Sequence, residues 1–459
     1  MKKSAYIFVF ILALVSCRTY NDKLTNYHAE LGNNQFADAE KTIRNLKFLK
    51  HKRNEILRCL ELGKVLHNEH QFDSSNVYLN KADELISHKH SLRNVSTSLI
   101  INEAMTYYQG EDFEKILVHY YKALNYLYLQ KNEDALVEAK QINIQLSQLG
   151  DKQFWDGKKY KADAFAHTLQ GIIYEKMDDY NNAFIAYRNA VELYQDNTQL
   201  EYLGITLPQQ LKIDVINAAN KSGLYAERDE YCQKFALNFD SIKSTDTNEL
   251  LVFWENGLAP IKRQKEIDLY LIKGVGGVLS YADNTGNINI PFPLPPEDVK
   301  DVKLSDFGIL RLVYPIYESH VPFFQQMTVS GNSKQYILQS IENVDFIAHK
   351  TLQEQLIKNL TFMASRVLLK KIAEYKVKKE NEGLGAALGI LGAASEKADT
   401  RNWNSLPSMI SYARIPINKG NNALPIKYST VNNTSITDTI YYQPKSKLGI
   451  INISTLKHI

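Results

Sequence analysis

From about residue 22 to residue 240, apolar residues recur at helical spacing, with breaks at Gly32, Gly63, Gly110, Gly150 and Gly223. The texture changes near residue 245. Glu249-Leu250-Leu251-Val252-Phe253-Trp254 reads as a buried strand, Glu255-Asn256-Gly257 as a turn, and Ile267 to Ile272 as a second strand. The run Pro291-Phe292-Pro293-Leu294-Pro295-Pro296 fits neither helix nor central strand and predicts an extended loop. Strands are also predicted at Ile309 to Tyr317 and Gln325 to Ser330. A helix follows over Val344 to Tyr375, with a break near His349 and a Lys-rich end at residues 370 to 379. Four alternating runs close the chain: Met409 to Ile417, Leu424 to Val431, Ile436 to Tyr442 and Ile450 to Ile453. The pattern predicts an α+β two-domain fold. An N-terminal all-α stack covers 22–245, and a C-terminal α+β domain covers 246–459, with a helical, Gly/Ala-rich insertion near 344–397.

The helical half repeats itself. Gly171, Tyr174, Tyr180, Ala183, Tyr187 and Ala190 are matched in spacing by Gly63, Leu66, Phe72, Ser75, Leu79 and Ala82, and by Ala123, Tyr126, Asn132, Ala135, Ala139. Tyr27, Phe36, Ala39, Ile43 and Ala219, Tyr225, Cys232 are weaker copies. This pattern resembles the tetratricopeptide repeat, in which a small residue lets two antiparallel helices approach and a second small residue twelve positions later opens the return helix. The resemblance implies a TPR-like stack with a concave face suited to binding protein segments. The array is irregular, since Gly63 to Ala123 and Ala123 to Gly171 both exceed the family period of about 34 residues. Ala104, Tyr107, Phe113, Ile116 and Tyr120 also fit the template, so the pairing of helices over 98–147 stays open between two frames.

The N-terminus carries an address. Lys2 and Lys3 precede the apolar run Ala5 to Val15, which is too short to span a bilayer core of about 30 Å as a helix. Leu14-Val15-Ser16-Cys17 resembles a lipobox, which implies a cleaved signal peptide over 1–16, lipidation of Cys17, and a short lipid anchor and tether over 17–21. Several acyl chains would then hold the protein on a membrane, each buried methylene adding about 0.8 kcal/mol. Arg18 stands where retained inner-membrane lipoproteins carry an aspartate, so the resemblance favours the outer membrane; the periplasmic and surface-facing sides both stay open. No later segment offers the long apolar run of a membrane span, and the remainder is expected to lie outside the bilayer.

Composition changes this picture little. The chain has 54 basic and 51 acidic residues, a formal charge of +3 that falls to +1 without Lys2 and Lys3, and no basic block of the kind a nucleic-acid binder presents. With 28 Tyr and 18 Phe it has ample material for a core. Three Cys exclude a disulfide framework, and Cys59 and Cys232 are expected to be packed thiols.

Chemical signatures are sparse. His67-Asn68-Glu69-His70 places two imidazoles three apart without a third ligand nearby, so a solvated helix end is expected in place of a metal site. Gly274-Val275-Gly276-Gly277 lacks dinucleotide-loop spacing and reads as a turn, and neither a nucleophile elbow nor a phosphate-cradling loop occurs. The expectation is therefore a protein that is not an enzyme and needs no cofactor or metal. Gly383 to Ala394 places Gly385, Gly389 and Gly392 three or four apart, which reads either as a mobile packing or membrane-surface element or as a short helix or connector. Partner-binding candidates are His119, Tyr120 and Tyr121, Glu255 and Asn256, and Arg401 with Trp403. The first three cannot share one helix face, since successive residues rotate by about 100°, so one or two must be core. Trp403 reads either as a surface anchor or as a seal at the start of a strand pair.

Taken whole, the chain resembles a family of functionally uncharacterised bacterial outer-membrane lipoproteins with TPR-like N-terminal halves. The residues carrying this are His119-Tyr120-Tyr121-Lys122-Ala123-Leu124-Asn125-Tyr126, Glu255-Asn256-Gly257-Leu258-Ala259-Pro260, Ala398-Asp399-Thr400-Arg401-Asn402-Trp403 and Leu406-Pro407. The family has no established activity to carry over. The resemblance implies an envelope role beside lipoproteins that act on cell-wall synthesis or surface assemblies. The expected function is a membrane-anchored, non-catalytic protein–protein interaction scaffold whose helical-repeat groove binds envelope proteins. The competing classes are an envelope enzyme with its site in the C-terminal domain, which needs converging acids, histidines or a nucleophile, and a surface lipoprotein binding glycans or nutrients, which needs an aromatic-lined cleft.

Overall fold

The computed structural model describes residues 19–90, 106–149, 163–195, 201–243, 247–273, 279–294, 308–380 and 397–459. The export segment with Cys17, residue Ala104, the Gly274–Gly277 run, Pro295-Pro296 and the Gly383–Ala394 run lie outside these residues.

Among the described residues, five helical hairpins come first. They are α1 (Thr25–Gly32) with α2 (Phe36–Asn45), α3 (Glu55–Asn68) with α4 (Phe72–His90), α5 (Asp112–Tyr128) with α6 (Asn132–Leu149), α7 (Ala164–Lys176) with α8 (Tyr180–Gln195), and α9 (Gln209–Lys221) with α10 (Tyr225–Phe235). A short helix, α11 (Phe239–Ile242), follows. The repeat residues do what the tetratricopeptide pattern requires. A Cβ on Gly171 would lie 2.5 Å from the Tyr187 ring, and one on Gly63 would lie 2.5 Å from Leu79, so each hairpin closes only because its first helix has no side chain there. Ser75, twelve residues after Gly63, donates its hydroxyl to the Gly63 carbonyl at 2.7 Å. α5 pairs with α6, which settles the frame: Phe113, Ile116 and Tyr120 lie on a first helix and Ala123 is the small residue.

Among the described residues, the second half contains three four-stranded sheets. The central one runs β12 (Leu448–Thr455), β1 (Asn248–Leu258), β9 (Pro407–Ile417), β8 (Gln339–Asn343), with β1 parallel to β12 and antiparallel to β9. The second, all antiparallel, runs β11 (Ser435–Tyr442), β10 (Asn422–Thr430), β6 (Phe324–Gly331), β7 (Lys334–Ile337). The third runs β4 (Asn289–Pro291), β3 (Leu279–Ala282), β2 (Ile261–Lys273), β5 (Ile309–Glu318). Two further helices among the described residues are α12 (Val344–Glu354) and α13 (Leu356–Glu380). No helix among the described residues is long and apolar enough to cross a membrane.

The central sheet explains why residues 250–254 are apolar without alternation. Leu251, Phe253, Ile410 and Tyr412 face the helices and share their core, while Leu250, Val252, Trp254, Ala413 and Ile415 pack against Met327, Val329, Leu424 and Ile426 of the second sheet. A strand covered on both faces reads as a continuous run. Helices, central sheet and second sheet thus form three layers. The third sheet builds a separate core with α13 through Leu269, Tyr281, Leu310, Leu312, Leu360, Ala364 and Leu368.

Three local expectations are corrected. Glu255-Asn256-Gly257 is not a turn: β1 continues through it, with Glu255 opposite Ile410 and Ser454, and pairing resumes in the same register at Leu258 after Gly257, whose φ is +64°. β1 ends at Leu258, and Ala259-Pro260 separate it from β2. The break in the late helix falls at Gln355, six residues after His349. Pro291 closes the short strand β4 and is not loop.

Substituting Gly171 by Ala should displace the Tyr187 ring and cost about 1–3 kcal/mol, read as a lower urea midpoint. Gly420→Ala, where nothing lies within 4 Å of the added carbon, should change stability by less than about 0.5 kcal/mol.

Candidate functional site

The first helix of each hairpin from α3 to α9 faces the central sheet, and there the polar side chains of both halves meet. On α3, Lys64 reaches Glu255 of β1 at 2.7 Å, with both side chains fully buried. Glu255 also accepts from Ser454 at 2.6 Å, and from Tyr120 of α5 and Asn452 of β12 at 3.3 Å each. On α5, Tyr128 donates to Asn452 at 2.7 Å. On α7, Lys176 reaches the Leu448 carbonyl at 3.0 Å, and Glu175 takes Arg414 of β9 at 2.6 Å. On α9, Asp214 accepts from Tyr412 at 3.0 Å. Burial alone would raise the Glu255 carboxyl, but the charges of Lys64 and His67 and the bonds from Lys64 and Ser454 outweigh it and hold the group below the ordinary range. Burial opposes ionisation of Glu175 too, yet Arg414 and Lys221 hold it at about 2.

Residues 399–406 lie along the same inner face without regular structure and are held by their main chain. Glu114 accepts the Trp403 N–H at 2.6 Å, and Glu61 accepts the N–H groups of Asn404 at 2.8 Å and Ser405 at 3.3 Å, together with the Tyr27 hydroxyl at 2.9 Å. Burial pushes both carboxyls up to about 7. The helical stack therefore binds an irregular segment of its own chain on its inner face.

All seven partner-binding candidates are buried, which corrects the expectation that any of them anchors a partner on an open surface. Tyr120 and Tyr121 face the seam: Tyr120 bonds Glu255, and the Tyr121 ring meets the Lys64 ammonium at 4.6 Å and Trp403 at 5.9 Å. His119 points the other way, into the stack, where Nδ1 meets Glu138 at 2.6 Å. All three are covered because α5 has helices on one side and the sheet on the other. Asn256 donates to the Phe324 carbonyl at 2.8 Å and accepts from Thr455 at 3.2 Å, tying the two sheets. Arg401 makes a fork with Asp399 at 2.8 and 2.6 Å and donates to Asn54 and the Thr106 carbonyl at 3.0 Å each, pinning the segment to the helices. Trp403 seals the start of β9, its indole N–H on Ser405 at 2.9 Å. The groove expected to receive envelope proteins is thus filled, because its apolar wall needs a cover and β1, β9 and residues 399–406 supply one.

His67 is not a solvated helix end. It is buried between Asn125 at 2.6 Å and Asn452 at 2.9 Å, while His70 is exposed past the helix end. No group of three or more potential metal ligands with metal-holding geometry occurs among the described residues. Cys59 is buried, with its thiol pushed up to about 11, and Cys232 is half-buried. Ser319 bonds Asp345 and His349, each at 2.9 Å, but the acid lies on the same imidazole nitrogen as the hydroxyl, so it cannot orient the ring as a catalytic relay requires.

One cavity brings ionisable groups together at the surface. It holds about 440 Å³ and is lined by Asn21, Asp22, Thr25 and His28 from the N-terminal segment and α1, Arg263 from β2, His320 after β5, and Lys457 and His458 after β12. The His320 and His458 ring centres are 4.3 Å apart, and His28 and His320 are 6.4 Å apart. These three imidazoles stand at sequence separations that carry no local signature, so only the fold assembles them.

No protein-family model matches this chain, and no curated protein matches it. Among solved structures, it is similar to the apo form of RapI at 14% identity, with a TM-score of 0.35, over 53% of this chain and 61% of that one. It is also similar to MamA at 14% identity and a TM-score of 0.29, over 46% of this chain and 87% of that one. TPR-like repeats of a kinesin light chain from Podosopora anserina match at 11% identity and a TM-score of 0.32, over 48% of this chain and 97% of that one. The chain spans about three fifths of the length of RapI. The TPR-like character of the helical half rests on its own hairpin contacts.

Two outcomes test the seam. Lys64→Met leaves Glu255 buried and uncompensated and should cost about 3–5 kcal/mol in urea unfolding, part of which Lys64→Met with Glu255→Gln should recover. For Glu61, the folded pKa of about 7 lies above the ordinary 4.5, so the folded chain holds a proton that the unfolded chain releases. That contribution is full below pH 4.5 and is lost as the pH rises to about 7. Wild type should therefore lose about 3 kcal/mol relative to Glu61→Gln between those limits, read from unfolding midpoints across pH.

Proposed function

We propose that the protein is a membrane-anchored, non-catalytic interaction protein of the bacterial cell envelope, tethered at Cys17. The observation that carries this reading is the filled concavity. The carboxylates, lysines and histidines with the most chemical potential, Glu61, Lys64, His67, Glu114 and Glu255, are engaged in holding the β half against the helices. The result is one body whose contacts with other proteins are made from outside. The second helices of the hairpins form that outer surface and carry exposed aliphatic and aromatic side chains in successive repeats, Val77 on α4, Val137 on α6, Ile185 on α8 and Tyr225 on α10. The lipobox-like residues Leu14-Val15-Ser16-Cys17 and the export run before them support the anchor and the envelope address, and Arg18 supports the outer membrane.

The carbohydrate-binding alternative is not favoured, since the lining of the ionisable cavity has no Tyr, Trp or Phe to stack on a sugar ring.

The N-terminal peptide of protein recovered from native envelopes should begin at an acylated Cys17 by mass spectrometry, and Cys17→Ala should release the protein from the membrane fraction. Photocrosslinkers at Val77, Val137 and Ile185 should capture one reproducible set of envelope proteins, and positions on α3 and α5 should capture none. An unmodified Cys17 sinks the anchor, and capture from neither face sinks the interaction role.

A further inference from the structure

The cavity beside the N-terminal segment is built by elements far apart in the chain. Residues 320–323 and 457–459 are zipped together by an antiparallel bridge between Pro322 and His458 and by the Phe323 and Ile459 N–H bonds to the Lys457 and Val321 carbonyls at 3.0 Å each. That ladder fixes His320 and His458 as neighbours. The same chain end lies against α1, where a Cβ on Gly32 would meet the Lys457 backbone at an ordinary van der Waals distance of 3.6 Å. His28 arrives from α1 and Arg263 from β2.

The charges are unevenly answered. Arg263 is met by Glu318 at 3.0 Å and by Asp22 at 3.4 Å, and Asp22 is held in turn by Thr19. Lys457 lies over the Phe323 ring at 4.3 Å, with no carboxylate in ion-pair range among the described residues. Among titratable groups, His28 has only cationic or imidazole neighbours, and Glu318, which faces His320, is already bonded to Arg263. His28 is bonded to Asn404 at 3.1 Å and faces His320, His458 and Arg263, and burial first and these neighbours second push it down to about 3. His320 faces His458, Arg263 and Glu318. It is pushed down to about 4 by burial first and His458 second, and its Nε2 is buried with no hydrogen-bond partner. An anion placed among these groups would compensate Lys457 and offset part of the cost of protonating the imidazoles beside it. Phosphate suits a multi-donor site of this kind, and the cavity of about 440 Å³ exceeds what a bare phosphate fills, leaving room for an esterified group.

The position selects the source. Asn21 and Asp22 line the cavity, and only three residues lie between Cys17 and Asn21, so the four Cα–Cα steps reach at most about 14 Å. With Cys17 acylated, the cavity lies within that reach of the lipid surface. We propose that it binds a phosphate ester, and that the ester it meets is the headgroup of a phospholipid in the membrane to which the adjacent N-terminus is anchored. The lipid half of this rests on the acylation of Cys17 read above; the phosphate half does not.

The experiment is a titration of the mature protein in detergent, with histidine side chains followed by NMR, against inorganic phosphate and against glycerol phosphate, the soluble headgroup of phosphatidylglycerol. Both should shift the His320 and His458 signals saturably and raise the pH at which His320 titrates, with glycerol phosphate the tighter ligand. Lys457→Gln, at an exposed position where the unfolding midpoint should not move, should weaken both by about tenfold. No saturable histidine shift, or an equal shift in Lys457→Gln, overturns the site. A response to inorganic phosphate without one to glycerol phosphate overturns the lipid source. The mass of the N-terminal peptide reports on acylation separately: an unmodified Cys17 with intact phosphate binding removes the membrane source and leaves the site.

Discussion

The inner face of the helical stack is apolar along its length, with Leu57, Leu60, Tyr120, Phe165, Leu169 and Leu211 all buried, and an open stack of this kind would leave it wet. Repeat proteins usually accept that exposure because the face is where a partner docks. Here the apolar area is covered permanently by Leu251, Phe253, Ile410, Tyr412 and Trp403 from the second half. At about 25 cal/mol per Å² of apolar surface, such coverage is the largest favourable term available to a domain contact, and it dictates the rest of the architecture. The central sheet must be apolar on the helical side, so it needs a second sheet on the other, and its first strand loses all alternation.

Polar groups caught in this seam do a different job. Lys64 with Glu255, and Arg414 with Glu175, are buried pairs whose mutual attraction is largely cancelled by the loss of water. Their value lies in register. A sheet sliding along the stack by one residue would separate Lys64 from Glu255, Tyr128 from Asn452 and Lys176 from the Leu448 carbonyl together, each then buried without its partner. Hydrophobic contact alone offers no such discrimination, because it is non-directional.

The helical half was legible in the sequence because its signal is local: Gly171 and Tyr187, or Gly63 and Leu79, meet within one hairpin, and their spacing states their contact. Most strands were legible for the same reason, as alternation and turn residues are near-neighbour properties. Short strands such as β3, β4, β7 and β8 were not, since three to five residues carry too little pattern. The docking of the halves was illegible altogether. Nothing near Glu255 announces Lys64, and Trp403 looks the same to a reader whether it faces water or Tyr121. The aromatic and polar clusters that seemed fit for a partner proved to be the chain's means of binding itself. His28, His320 and His458 were overlooked for a related cause, as three isolated histidines form a cluster only once β5, β12 and α1 are in place.

The parallel pairing of β1 with β12 sets an order of events. Glu249 lies opposite Leu448, so the strand that covers the inner face of the stack obtains one of its two neighbours only after about 200 further residues have been made. Until then β1 has an open edge and the stack a wet, greasy interior. A contact that joins segments so far apart closes late, since the entropy of the intervening loop must be overcome first. Synthesis of the chain in sequence order therefore creates an interval in which the helical half exists without its cover, and the length of that interval is set by the distance between two strands.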